Sequence, residues 1–308
     1  ELNKAYHIAT TGRRGPVLID LPMNIQRSEV ENPVYDMTFE DKHTDAAAAQ
    51  QAADTILEAL EQAKRPVIML GHGVDSSFSQ QKLIRFAQKR QIPIITSVLA
   101  KSVLGYDHPL NFGCIGGAYG HRYANMIANA KSDLLLCFGI SLCTRQIGTK
   151  VHEFARGAKI IRIDIDPYNL QRDIHENGIN EVKLQAETGA VIDCLAKAAA
   201  PDIEGISDWL NVCTEIKENL QAVDDATPER YPNRMIADLS DMLEDTSAIA
   251  VDVGQHMVWS YQSFKNHEGQ KLLFSGGHGA MGYGLPAAIG AYYATGKPTA
   301  CKIGRAHV

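Results

Sequence analysis

Asp133-Leu-Leu-Leu-Cys-Phe-Gly139 decides the fold: an unbroken apolar run stopped by glycine describes a strand covered on both faces. Runs of the same kind stand on either side of it, at Val67-Ile-Met-Leu-Gly71, Ile92-Pro-Ile-Ile-Thr96 and Lys159-Ile-Ile-Arg-Ile-Asp-Ile-Asp166. Between them, Gln80 to Lys89 and Tyr123 to Ala130 carry apolar residues at helical spacing. Short apolar strands separated by helices pair in parallel, so the expected class is α/β with parallel, doubly wound sheets. Such sheets bind ligands beyond the carboxyl ends of their strands, which sets Gly71-His-Gly73, Gly139-Ile-Ser141 and Asp164-Ile165-Asp166 along one edge. Asp164 or Asp166 can there accept a hydrogen bond from a ribose hydroxyl, or can cap the turn Pro167-Tyr-Asn169 instead.

Outward from this region the chain divides into units. Residues 1–30 read as a helix from Glu1 to Thr11, a turn at Gly12-Arg-Arg-Gly-Pro16 and a buried strand at Val17-Leu-Ile-Asp-Leu-Pro22, the end of a larger domain. Residues 31–45, with Pro33 and mixed charge, read as a linker. A helix capped by Thr44, with Ala48, Ala52, Ile56, Leu57 and Leu60 on one face, opens a central domain over residues 46–200. Residues 201–230 read as a linker containing a helix. A third unit over residues 231–302 opens with a helix from Arg234 to Leu243 and a strand from Ala248 to Val253.

Composition narrows the function. The 308 residues are 45% hydrophobic and carry a formal net charge of −6 with no basic patch, which argues against a nucleic-acid partner. No apolar run approaches the roughly 18 residues of a membrane span. The six cysteines are scattered without a C-x-x-C pair and read as buried small apolar residues of a cytoplasmic protein.

The chemistry gathers near the end of the chain. Ser275-Gly-Gly-His-Gly-Ala-Met-Gly-Tyr-Gly-Leu-Pro-Ala-Ala-Ile-Gly-Ala291 leads into a small-residue helix with Pro286 in its first turn, so its backbone can lie close against a ligand. The run does not fit the dinucleotide fingerprint, which needs a strand before it and an acidic residue after it. Upstream, Val251-Asp-Val-Gly-Gln-His-Met-Val-Trp259 places Gln255 and His256 just after a strand. Taken alone, His256 reads as a turn residue bonded to backbone and Met281 as core filler. Taken together, the two runs resemble the start of the diphosphate-binding domain of thiamin-diphosphate-dependent enzymes, most closely the acetolactate synthase large subunit.

That resemblance implies a set of roles. Gln255, His256, Gly277, Gly279, Ala280 and Met281 would bind thiamin diphosphate: the Gly279 carbonyl would accept from the aminopyrimidine, and Met281 would wedge beneath the thiazolium. Arg145, in Gly139-Ile-Ser-Leu-Cys-Thr-Arg-Gln-Ile-Gly148, would bind the carboxylate of the second 2-keto acid, a planar group suited to a guanidinium fork. The best-known synthases carry two Asp before that Arg, where this chain has Cys143 and Thr144. The synthases hold FAD in the central domain and other members hold another nucleotide or none; FAD here would touch Gly71, Gly73, Gly139, Asp164 and Ile165. Gly116-Gly-Ala-Tyr-Gly-His-Arg-Tyr-Ala-Asn125 is also family-like, either a nucleotide-contacting loop or a helix entry.

In such enzymes the cofactor takes up electrons as a 2-keto acid such as pyruvate loses carbon dioxide, and the acyl unit passes to a second 2-keto acid. The family's catalytic Glu and its Mg²⁺ ligands have no counterparts in this chain, so the expectation is a piece of a longer dimeric or tetrameric protein, inactive by itself. A regulatory subunit is a further expected partner. Ile303-Gly-Arg-Ala-His-Val308 replaces the expected Gly-Asp-Gly magnesium motif and is what a sequencing adapter, ATC GGA AGA GCA CAC GTC, encodes; it is set aside as a tail. Glyoxylate carboligase, 2-hydroxyacyl-CoA lyase and a non-catalytic nucleotide-binding paralogue are the competing readings.

Overall fold

The computed structural model describes residues 1–30, 39, 45–74, 77–117, 119–175, 178, 180–199 and 201–304. Thr44 and most of the linker and tail lie outside the described residues. The strands are β1 (Pro66–Leu70), β2 (Ile94–Thr96), β3 (Asn111–Cys114), β4 (Leu134–Phe138), β5 (Lys159–Asp164), β6 (Glu181–Gln185), β7 (Ala248–Val251), β8 (Lys271–Phe274) and β9 (Thr299–Lys302). The helices are α1 (Leu2–Thr10), α2 (Met23–Gln26), α3 (Ala46–Gln62), α4 (Ser77–Arg90), α5 (Arg122–Met126), α6 (Thr144–Ile147), α7 (Pro167–Gln171), α8 (Thr188–Lys197), α9 (Ile206–Asn219), α10 (Pro232–Met242), α11 (Gln255–Ser263) and α12 (Gly284–Thr295).

The first six strands form one parallel sheet in the order β3-β2-β1-β4-β5-β6, with Ile68 paired to Ile94 on one side and to Leu136 on the other. Successive side chains of a strand point to opposite faces, and this sheet buries both. Ile68, Leu70, Leu134, Leu136 and Phe138 pack with α3, α4 and α8, while Val67, Met69, Leu135 and Cys137 pack with α5 and α9. Each such side chain contributes about 1.5–3 kcal/mol by leaving water. Helix α3 is alanine-rich, a composition of high helix propensity that also allows close approach to the sheet. Its buried face is Ala49, Ala52, Ala53, Ile56, Ala59 and Leu60, shifted round from the expected stripe, and its N-terminus is capped by Asp45, which accepts from the Ala47 N–H at 2.9 Å.

Two segments differ from their sequence reading. Val17–Pro22 forms no strand, and Leu18 is 91% exposed: among the described residues no strand lies beside it to pair with its backbone. Helix α9 is more than a linker helix, because Trp209 and Cys213 are buried in the sheet's second core and the indole N–H donates to the Pro66 carbonyl at 3.0 Å. Of the cysteines, all free, Cys114, Cys137 and Cys213 are buried and the other three half-buried.

The second sheet is parallel in the order β8-β7-β9. Ile236 of α10, Ile249 and Val251 of β7, Tyr261 of α11 and Phe274 of β8 form its core, and Val98 of the central domain packs against that core. Polar bonds close the seam: buried Asn266 donates from its side chain to the Leu104 carbonyl at 2.8 Å and accepts from the Tyr106 N–H at 2.8 Å. No helix among the described residues is long and apolar enough to cross a membrane.

Candidate functional site

The strand order reverses between β1 and β4, and Gly71, Gly73 and Gly139 meet there as the sequence predicts. Their missing side chains serve the contact between the two loops. Gly71 N–H donates to the Phe138 carbonyl and Gly73 N–H to the Gly139 carbonyl, both at 2.9 Å, and Gly139 adopts φ +55°. Beside them, Asp164 accepts from Asp166 N–H and from the Asn169 side chain, and burial raises its carboxyl above the ordinary value. Asp166 caps α7 through the Tyr168 N–H and pairs with Arg13. Both aspartates make turn-capping contacts. Ile165 is half-buried between them.

The other candidate residues converge on the seam between the two sheets. A pocket of about 540 Å³ is walled on the central side by Leu99, Ile115, Tyr119, Cys143 and Arg145, and on the other by Gln255, Met257, Tyr261, Gly277 and Gly279. Arg145 follows β4 on α6, and its Nη1 donates across the seam to the Gly277 carbonyl at 3.0 Å. Cys143 begins the same short helix, its N–H donating to the Gln146 side chain at 3.0 Å.

Gly276 packs against Leu99, but beyond it the glycine run is bare as far as Gly282. Nothing stands within 4 Å of where a Cβ would lie on Gly277, Gly279 or Gly282, and Gly279 and Gly282 hold φ values of +78° and +84°. With the Gln255 side chain on the same wall, this exposed backbone fits a ligand of the thiamin diphosphate kind, whose ring system needs close backbone approach. The remaining predicted residues lie around it. Ala280 N–H donates to Ser275 Oγ at 3.0 Å. Met281 is 85% exposed, which removes the core-filling reading and places the side chain outside the pocket lining. His256 packs against Gly254 and Gly304 and hydrogen-bonds the Asp252 backbone, while its Nε2 is buried without a partner among the described residues. Burial and Lys302 lower its pKa, so the ring is neutral near pH 7.

Two residues that carried no role in the sequence reading organise this site. Asp252 ends β7 and accepts from Val253, Gly282 and Gly284 N–H groups at 2.6, 3.0 and 3.2 Å, fastening the glycine run to the sheet. Burial opposes its charge, yet these donors outweigh it and hold the carboxyl below its ordinary value. Its place in Val251-Asp-Val-Gly, between a strand and a glycine, was the available signal. Arg172 donates to the carbonyls of Ser141 and Leu142, steadying the loop in which Leu142 holds φ +48° just before Arg145. Nothing local in the sequence ties Arg172 to that loop. Among the described residues no three His, Cys, Asp or Glu side chains gather as a metal site, so no Mg²⁺ ligand set is assigned within them.

This architecture has known relatives. Residues 53–195 match the thiamine pyrophosphate enzyme central domain, and residues 252–304 match the thiamine pyrophosphate enzyme C-terminal TPP binding domain. The chain belongs to the thiamine pyrophosphate enzymes. It is 34% identical over 303 residues to a probable acetolactate synthase large subunit of Methanocaldococcus jannaschii, covering 93% of this chain and 49% of that protein. It is also 31% identical over 294 residues to the acetolactate synthase isozyme 1 large subunit of Escherichia coli, with 94% and 50% covered, and 29% identical over 296 residues to the acetolactate synthase large subunit of Lactococcus lactis, with 94% and 49% covered. The chain spans about half the length of the curated relatives it matches.

Proposed function

We propose that the protein carrying this chain is a thiamin-diphosphate-dependent carboligase of the acetolactate synthase kind, joining the acyl unit of pyruvate to a second 2-keto acid. The observation that carries this reading is the reach of Arg145 from the central domain to Gly277 of the glycine run, which sets a guanidinium at the wall of the pocket that fits the cofactor. When bound, the cofactor supplies the electron sink for loss of carbon dioxide. The Arg145 fork grips a substrate carboxylate by exchanging the Gly277 carbonyl for it. Leu99, Ile115, Met257 and Val258 give the pocket an apolar wall that keeps water from the reacting centre. Asp252 keeps the glycine backbone in place for the cofactor.

The same reading assigns Gln255, Gly277 and Gly279 to the cofactor from the pocket wall and His256, Ala280 and Met281 from beside it, with Mg²⁺ held by residues beyond this chain. FAD at the β1–β4 switch point, a cytoplasmic dimer or tetramer, and a regulatory subunit belong to it as well, as do the domain limits at residues 46–200 and 231–302. The test is to incubate the protein, expressed from its full reading frame, with thiamin diphosphate, Mg²⁺ and pyruvate. Acetolactate is the expected product; tartronate semialdehyde from glyoxylate, with no acetolactate from pyruvate, would move the assignment to a glyoxylate carboligase. A bound yellow chromophore in the same preparation tests FAD.

A further inference from the structure

The Gly-His121-Arg-Tyr123 segment, which the proposed reaction does not use, enters α5 and turns His121 and Tyr123 inward toward a second, much smaller cavity. This cavity measures about 10 Å³, room for one atom-sized guest, and is lined from the 3₁₀ turn Val98–Val103, Tyr106, β3, α5 and α9. Lys101 and Tyr123, only 7% and 4% exposed, both line it, and neither Nζ nor the phenol makes a hydrogen bond to a described residue. Buried polar groups are seldom left without partners, so these two point to a guest.

The rest of the lining fixes the guest's chemistry. Three of its acceptors already hold a donor: Asn111 Oδ1 the Gly113 N–H, the Asn111 carbonyl Lys217 Nζ and His121 Nδ1 the Cys114 N–H, each at 2.9 Å. The other groups lining the void are the Lys101 ammonium, the remaining hydrogens of Lys217 and the hydroxyls of Tyr106 and Tyr123, all of which can donate. No carboxylate lines the cavity. Asp107 and Glu218 act on Lys217, whereas Lys101 has only the Cys114 thiol, which burial keeps protonated. Burial lowers the Lys101 pKa because an ammonium without a counter-ion is costly there; an anion would offset that cost, whereas a water would satisfy hydrogen bonds and leave the charge unbalanced. We propose that this cavity binds a single monatomic anion, a halide, held by Lys101 and Tyr123 at the base of the seam between the two sheets.

Bromide is the probe. Crystals of the full chain grown with bromide in place of chloride should show an anomalous-scattering peak in this cavity, absent in Lys101→Met and weakened in Tyr123→Phe. In solution at constant ionic strength, exchanging gluconate for chloride should raise the melting temperature by about 2–4 °C for each tenfold increase once the site is filling. The rise should vanish in Lys101→Met. Should that variant fail to fold, Tyr123→Phe and the bromide peak in the unmodified chain still decide the matter. An ordered water without anomalous signal, or equal melting in gluconate and chloride, overturns the proposal.

Discussion

Gly71 and Gly139 touch backbone to backbone: a Cβ on Gly71 would stand 2.0 Å from the Gly139 carbonyl oxygen, and one on Gly139 would stand 2.6 Å from Gly73 Cα. The contact locks the loops after β1 and β4 together, and through the second loop it sets where Arg145 emerges. Neither loop can yield without breaking the Gly71 N–H bond to Phe138 and the Gly73 N–H bond to Gly139. Gly71→Ala is therefore expected to lower unfolding stability by about 3 kcal/mol or more. Gly277→Ala, with open space around its Cβ, should move it by less than about 0.5 kcal/mol. Urea unfolding of the two variants measures the difference, and a Gly71→Ala protein as stable as the original would contradict the packing.

Arg145 is exposed, so its replacement should leave melting unchanged while altering substrate use. A guanidinium fork holds a planar carboxylate through two parallel bonds, and an ammonium in its place keeps the charge but loses the fork. Arg145→Lys in the full-length protein is expected to raise KM for the 2-keto acid roughly 10- to 100-fold. Arg145→Ala should go further. Steady-state kinetics with equal melting curves for both variants check this; an unchanged KM would remove Arg145 from substrate binding.

How much was legible follows from where each signal is written. The strands of the central sheet's middle, β1, β4 and β5, stand as apolar runs because both their faces are covered, and their carboxyl ends assemble where the sequence placed them. The edge strand β6 was missed although Glu181-Val-Lys-Leu-Gln185 alternates with period two, the pattern of a strand half open to water. Strand β3, Asn111-Phe-Gly-Cys114, has no period to read, because its polar Asn111 is used in capping Gly113. Arg145, Gln255, Gly277 and Gly279 were found as separate motifs, and the structure gathers them at one pocket. Arg172 acts through contacts distant in sequence, which no local spacing encodes.

His121 makes the fold sensitive to acid. Burial first, then the nearby Lys101 charge, pushes its pKa from 6.5 down to about 3, so the folded chain keeps the ring neutral where the unfolded chain would protonate it. Between those values the unfolded state binds more protons, and stability falls as pH drops. The contribution is complete above about pH 6.5 and is lost toward pH 3, amounting to several kcal/mol at about 1.4 kcal/mol per unit. Melting curves between pH 6.5 and 4.5, above the range where most carboxylates titrate, should decline steeply in the unmodified chain and less so in His121→Asn. Parallel declines would assign the acid sensitivity to other groups.

Asp252 offers a test of how the glycine run is held. Its carboxylate accepts from Gly282 through Oδ1 and from Gly284 through Oδ2, the two amides at the threshold of α12. Hydrogen bonds to a charged acceptor contribute about 1.5–3 kcal/mol, so removing the charge with Asp252→Asn should free these amides without emptying the space the side chain fills. Hydrogen exchange at Gly282 and Gly284 is expected to quicken roughly 10- to 100-fold. Gly296, at the far end of the same helix and bonded to the Tyr292 carbonyl at 2.7 Å, should exchange as before. If all three amides quicken together, the substitution has loosened the whole helix and Asp252 is a stability residue; if only the first two do, it is the clamp that sets the shape of the glycine run.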